Sequence, residues 1–315
     1  MAPALITAVV TLAVHVAVGP PVRAEPAESS WHTYGRGADA RQYLTYRPAD
    51  LAPGSPVVVW LHGCWFRGGD PTAAERVESA AATGFPALAD REGFAVIFPQ
   101  QPRSANSDEC WNWFDPLQHW SGHGEAALLA GLVARAVEDL HADPNRVYLA
   151  GHSAGGAMTA VLGAAYPERF AALGVSAGFP AVDGLDSLGA FAGARMLERG
   201  VRGLPVAVIT GDADPLSQPW IQRLVTDEWR SADRMADGGR LDVLGGLRDA
   251  VLPPAPDAVE EQPGVDGEYS RTISRYRIGP RISVDHWVFH GMAHEYPAAL
   301  TTPALWRFFT AAGGP

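Results

Sequence analysis

Short, unbroken apolar runs rich in β-branched residues recur along the chain at positions 56–62, 94–98, 147–150, 170–176, 204–210 and 284–290. A run of this length with no polar alternation reads as a strand covered on both faces, as in a parallel sheet. Residues 42–46 alternate instead, which predicts an early edge strand. Between the runs the period changes. From 125 to 141, Leu129, Leu132, Val133, Ala136, Val137 and Leu140 fall on one helical face, with Arg135, Glu138 and Asp139 opposite. Shorter helices are predicted at 85–90, 156–166 and 303–312. Strands alternating with helices build βαβ units. The expectation is an α/β fold: one domain over residues 41–315, with a mostly parallel central sheet flanked by helices.

Three stretches fall outside this alternation. Residues 25–40 are polar and read as a loose lead-in. Residues 100–124 form a long aperiodic segment carrying Cys110, Trp111, Trp113, Phe114 and Trp120. Loops of that length in a compact domain are functional or disordered, and the aromatic load argues against disorder. Residues 253–268 are proline-rich and acidic and read as an excursion from the domain, either a lid edge or a solvated insertion.

The N-terminus is apolar from Ala4 to Val18, followed by Gly19-Pro20 and then Val22, Arg23 and Ala24. This layout predicts a signal peptide over residues 1–24, hence a secreted protein with no membrane association after cleavage. In an exported chain two cysteines pair, so Cys64 and Cys110 are expected to form a disulfide. Closing that loop contributes about 4 kcal/mol on the chain-entropy view. The net charge of −11 over 315 residues argues against nucleic acid as a partner.

The candidate chemistry begins where the third apolar run ends, at Gly151-His152-Ser153-Ala154-Gly155. A G-x-S-x-G between a strand and a helix is a nucleophile elbow: small residues allow a tight turn that lifts the serine hydroxyl above the sheet. The Ala154 N–H then opens a helix and is the first candidate donor to an oxyanion. A serine needs a base, and the base an orienting acid, both from loops after later strands. The run at 204–210 leads into Asp212 and Asp214, which compete for the acid. Asp214 is favoured because it follows the strand by a short turn and precedes Pro215. The run at 284–290 leads to His294, the best-placed base. His286 and His290 lie within or at the end of a strand, and His152 is expected to point away. The second oxyanion donor should come from the loop after residues 56–62, with Cys64 N–H the candidate and Trp65 the fallback. No metal or cofactor is implied.

Leu61 to Cys64, Asp108 to Phe114 with its Cys110, Trp111 and Trp113, the elbow, Gly211 to Asp214 and His286 to His294 together resemble the polyhydroxybutyrate depolymerase-type esterases. These are secreted α/β-hydrolases related to feruloyl and acetylxylan esterases. The resemblance runs from about Gln42 to the last helix and implies an Ser153–Asp214–His294 triad. It implies a serine carboxylester hydrolase acting on short-chain hydroxyalkanoate polyesters or oligomers. The alternative is feruloyl or acetyl ester removal from plant polysaccharide, and a reading of another class is a non-catalytic binder on a hydrolase fold. After the His the family commonly continues with Trp and a Gly pair; here Glu295, Tyr296 and Pro297 follow. After His-Gly-Cys it often has a small polar residue and Gln; here Trp65 and Phe66 follow. Trp65, Trp111, Trp113 and Tyr296 are therefore the candidate substrate-binding residues, and no separate polymer-binding domain is expected.

Overall fold

The computed structural model describes residues 27–65, 70–182, 186, 188–264 and 268–312. The signal peptide expected over 1–24 lies outside these residues, as does Phe66. Among the described residues ten strands are formed: β1 (Glu28–Tyr34), β2 (Arg41–Arg47), β3 (Val57–Leu61), β4 (Ala95–Pro99), β5 (Val147–His152), β6 (Ala172–Ser176), β7 (Val206–Gly211), β8 (Ala258–Gln262), β9 (Arg271–Ile278) and β10 (Arg281–Phe289). Eight α-helices accompany them among the described residues: α1 (Ala73–Ala82), α2 (Phe85–Glu92), α3 (Gly124–Asp139), α4 (Ala154–Ala165), α5 (Ala190–Arg199), α6 (Pro219–Asp237), α7 (Val243–Val251) and α8 (Ala298–Ala312).

The strands form one sheet in the order β1-β2-β4-β3-β5-β6-β7-β10-β9-β8. Neighbours from β4 through β10 are parallel, while β1 and β2 at one edge and β9 and β8 at the other pair antiparallel. This is the α/β-hydrolase arrangement. The unbroken apolar runs divide by alternation between two cores. Val57, Val59, Leu61, Val147 and Leu149 face the layer of α3, α4, α5 and α6. Val58, Trp60, Tyr148 and Ala150 face α1, α2 and α8. The face predicted for α3 is the one that packs inward: Leu129, Leu132, Val133, Ala136 and Val137 are buried.

Three expectations are corrected. Residues 28–34, within the stretch read as lead-in, form β1, whose every residue pairs with β2. The excursion at 253–268 contains β8, which closes the far edge of the sheet against β9. The last helix starts five residues before Pro303. At the sixth helical position Pro303 has no N–H for the Ala299 carbonyl, and its ring crowds that carbonyl. The neighbouring Thr302 ties this turn to the end of α1, donating from Oγ1 to the Thr83 carbonyl at 2.6 Å.

Behind the sheet, α6 carries a carboxylic acid into the core. Glu228 is fully buried and accepts from the Ala181 N–H at 3.0 Å. Asp186 lies against it and accepts from the N–H groups of Phe191 and Ala192 at 2.8 and 2.9 Å. Burial pushes the Asp186 carboxyl up to about 6, and burial together with the neighbouring Asp186 raises Glu228 well above its ordinary value. The native state therefore keeps protons that the unfolded chain releases near pH 4, and stability falls as pH rises through about 6. Asp233, also pushed up to about 6 by burial, contributes in the same direction. In Glu228→Gln the amide oxygen still accepts from Ala181, and the amide N–H serves an ionised Asp186. The expected result is a smaller loss of thermal midpoint between pH 5 and pH 8 than in the wild type. Parallel midpoint curves for the two proteins would show that the pair carries no shared proton.

Candidate active site

The parallel strands β3, β5, β7 and β10, with β6 between β5 and β7, all end on the same edge of the sheet, and the loops leaving them converge. Ser153 follows β5 with φ 59° and ψ −123°. A non-glycine residue in this region is strained by about 1–3 kcal/mol, and here the backbone is held on both sides. Ser153 N–H donates to Ser176 O, and Ser153 O accepts from Ala157 N–H, each at 2.9 Å. The flanking glycines are set by close approach. A Cβ on Gly155 would lie 2.0 Å from the Leu61 carbonyl oxygen, and one on Gly151 2.4 Å from that of Gly155.

His294, in the loop after β10, stands between two of the expected partners. Its Nε2 is 2.9 Å from Ser153 Oγ, and its Nδ1 is 2.7 Å from Asp214 Oδ2. The other Asp214 oxygen accepts from the backbone N–H groups of Leu216 and Ser217 at 2.8 and 2.9 Å. Burial works to raise the Asp214 carboxyl. The hydrogen bonds from His294, Ser217 and Leu216 outweigh it and hold the group below the usual carboxylate value. An ionised acceptor at Oδ2 places the proton of His294 on Nδ1, which leaves Nε2 free to accept from the serine. Asp212, the competing acid, does not share this contact: it bonds His290 and the Gly291 N–H.

Two other histidines are neutral structural groups. His62 Nδ1–H donates to Gly63 O at 2.6 Å while its Nε2 accepts from Gln101 N–H at 3.2 Å; burial pushes its pKa down to about 4. His286, also pushed down to about 4 by burial, bonds Thr210 Oγ1 at 3.0 Å inside the sheet. His152 corrects an expectation. Its ring does not point away but lies 5.0 Å from the His294 ring and 6.1 Å from that of Tyr296. Burial, followed by the charge of His294, pushes its pKa down to about 3. Its place as the first x of G-x-S-x-G was visible in the sequence, but its direction was not.

The loop after β3 is braced against Ser153. A Cβ on Gly63 would sit 3.2 Å from Ser153 Cβ, so this loop passes directly over the nucleophile. Trp65 N–H is engaged by Asp108 O at 2.7 Å. That leaves Cys64 N–H as this loop's candidate donor opposite Ala154 N–H. The Cys64–Cys110 disulfide ties the loop to the aromatic segment. Trp111 adds to the tie, donating from Nε1 to His62 O at 3.0 Å.

The aromatic candidates separate. Trp111 is wholly buried. It is a core residue of the loop brace and offers substrate nothing, because its ring is enclosed in the core and its N–H is taken by His62 O. Tyr296 gives its hydroxyl to Thr302 Oγ1 at 2.9 Å and its ring to Trp60, with centroids 4.6 Å apart. Burial raises its pKa. Trp113 is half-buried and stacks on Phe179 at 4.5 Å. Phe179 was not anticipated; it lies three residues past the end of β6, directly after Gly178. Trp65 lines a cavity of roughly 670 Å³ together with Trp60, His62, Cys64, Glu78 and His152. Aromatic walls and a carboxylate rim therefore adjoin a serine already hydrogen-bonded to an oriented imidazole. Such a set can attack an ester carbonyl and hold the resulting oxyanion.

Comparison with known proteins places this geometry in context. A family described as esterase PHB depolymerase matches residues 42–247. Poly(3-hydroxyalkanoate) depolymerase C of Paucimonas lemoignei is 37% identical over 147 residues, covering 47% of this chain and 33% of that protein. Feruloyl esterase B of Neurospora crassa is 36% identical over 136 residues, covering 41% of this chain and 40% of that protein. The chain thus spans well under half the length of these curated relatives. Among solved structures, an acetyl xylan esterase from Aspergillus awamori superposes with a TM-score of 0.62 at 20% identity, covering 89% of this chain and 98% of that one.

Proposed function

The chain belongs to the esterase PHB depolymerase family, and from that premise we propose that it is a serine carboxylester hydrolase using Ser153, His294 and Asp214. The observation that carries the reading is the unbroken hydrogen-bond line from Ser153 Oγ through His294 to Asp214, at 2.9 and 2.7 Å. His294 Nε2 takes the serine proton as Oγ attacks the ester carbonyl. The tetrahedral oxyanion is held by the N–H groups of Ala154 and Cys64, each worth about 3 kcal/mol in the transition state. His294 then protonates the leaving alcohol, giving an acyl-enzyme. A water deprotonated by His294 releases the acid and restores Ser153. Asp214 keeps the imidazole in the Nδ1–H tautomer and stabilises its cation.

The leading substrate class is a short-chain hydroxyalkanoate polyester or its oligomers, supported by the family match and by the relative from Paucimonas lemoignei. A second reading is an ester on a polysaccharide. The cavity favours it by joining the Trp60 and Trp65 rings to the carboxylate of Glu78, a combination that suits the faces and hydroxyls of a sugar. The test is parallel hydrolysis of poly(3-hydroxybutyrate) suspension, soluble hydroxybutyrate oligomers, methyl ferulate and acetylated xylan, with Ser153→Ala as control. Serine-dependent release of hydroxybutyrate is the expected result. Release of ferulate or acetate alone would transfer the chain to the second reading.

Export belongs to the same proposal. It is supported by the Cys64–Cys110 disulfide, since such bonds persist in oxidising compartments. Among the described residues no helix is long and apolar enough to cross a membrane.

A further inference from the structure

A second Asp–His pair stands immediately outside the first. Asp212 precedes Asp214 by two residues and His290 precedes His294 by four. His290 Nδ1–H donates to Asp212 Oδ2 at 2.9 Å, and Gly291 N–H donates to Asp212 Oδ1 at 2.6 Å. The two strand exits are already close. Asp212 N–H meets Phe289 O and Ala213 N–H meets Met292 O, each at 3.1 Å. A Cβ on Gly211 would fall 2.2 Å from the Met292 oxygen. His290 is fixed from its other side as well. Its Nε2 lies 2.8 Å from Thr272 Oγ1, which donates to Glu261 Oε2 at 2.8 Å. The carboxylate of Asp212 therefore ties the segment bearing His294 to the exit of β7, and the line continues through His290 and Thr272 to β9 and β8.

We propose that Asp212 is a positioning residue: by gripping His290 and the Gly291 N–H it fixes the 290–294 segment so that His294 stands in line between Ser153 and Asp214. This rests on the triad reading above. Stability is a weak explanation for the pair, because the two side chains are 38% and 42% exposed and exposed ion pairs contribute little. Position is the stronger one. The segment turns through Gly291 at φ +77° on the way to His294, and the Asp212 carboxylate accepts the N–H of that same glycine. A base displaced by about 1 Å costs up to a hundredfold in rate.

The experiment compares Asp212→Ala and Asp212→Asn with the wild-type full chain, using p-nitrophenyl butyrate turnover, thermal midpoint and the low-field proton NMR signal of His294 Nδ1–H. Asp212→Ala should lower kcat by about 10- to 100-fold with KM within about twofold. Its midpoint should be nearly unchanged, and the low-field signal should broaden or vanish. Asp212→Asn should recover most of the rate, because its amide oxygen still accepts from Gly291. Wild-type kcat and an intact low-field signal in Asp212→Ala would overturn the proposal. So would an Asp212→Asn as slow as Asp212→Ala. The NMR signal reports the brace without requiring turnover, so an inactive wild type would count against the esterase reading alone. An Asp212→Ala protein with no activity, beside an Asp214→Ala protein with nearly all of it, would make Asp212 the acid itself and contradict both.

Discussion

Ser153→Ala is expected to lower kcat on a chromogenic ester by about 10⁶-fold, the scale seen when a triad nucleophile is removed. The residue occupies a backbone conformation held by hydrogen bonds to Ser176 and Ala157 and by glycines that alanine cannot replace. None of that support involves Oγ, whose recorded partner is His294 Nε2. The variant should therefore fold like the wild type. Its thermal midpoint should match while turnover disappears, and any residual rate should come from the oxyanion donors. Stopped-assay kinetics beside a melting curve check both halves. Substantial turnover in a well-folded Ser153→Ala protein would remove Ser153 from the chemistry.

The second large effect is expected at Asp214→Asn, with kcat down about 10⁴-fold. An amide at this position can turn its NH2 toward His294 Nδ1, which then accepts rather than donates. The ring proton moves to Nε2, where it faces Ser153 Oγ, and the base is lost although every heavy atom keeps its place. The depressed carboxyl of Asp214 sets the pH behaviour of this contact. Its contribution to stability is complete above the unfolded carboxylate value of about 4 and is lost only as pH falls through the lower folded value. Steady-state kinetics at neutral pH with a near-native melting midpoint would support the tautomer argument. A loss of only a few fold would mean that Asp214 does not orient the base.

What could be read from the sequence follows from where polar groups sit. Strands β3 to β7 were visible because both their faces are covered, so nearly every position is apolar. The elbow was visible because its glycines meet backbone at distances no side chain tolerates. Helix α6 was not, because Gln222, Glu228 and Asp233 lie on its buried face and break the apolar stripe. Each has a specific partner there: Gly178 O, Ala181 N–H and Arg281. Strand β9 was hidden by its arginines. Arg275 pairs with Asp285, and Arg271 lies over the rings of Trp287 and Phe289 on the neighbouring strand. At the site, strand ends located Ser153, Asp214 and His294, because a parallel sheet brings its carboxyl ends together whatever the loops contain. Direction was the missing information. A list of tryptophans near the site does not say that the Trp111 indole is spent on His62 O, and a histidine beside the nucleophile does not say which way its ring turns.

The most direct measurement is peptide mapping after exposure of the mature protein to diethyl p-nitrophenyl phosphate, run beside His294→Ala. The account predicts a single diethylphosphoryl adduct on Ser153, matched by loss of ester turnover and formed far more slowly in the variant. An unmodified Ser153 in a protein that still hydrolyses esters, or equal labelling with and without His294, would contradict it.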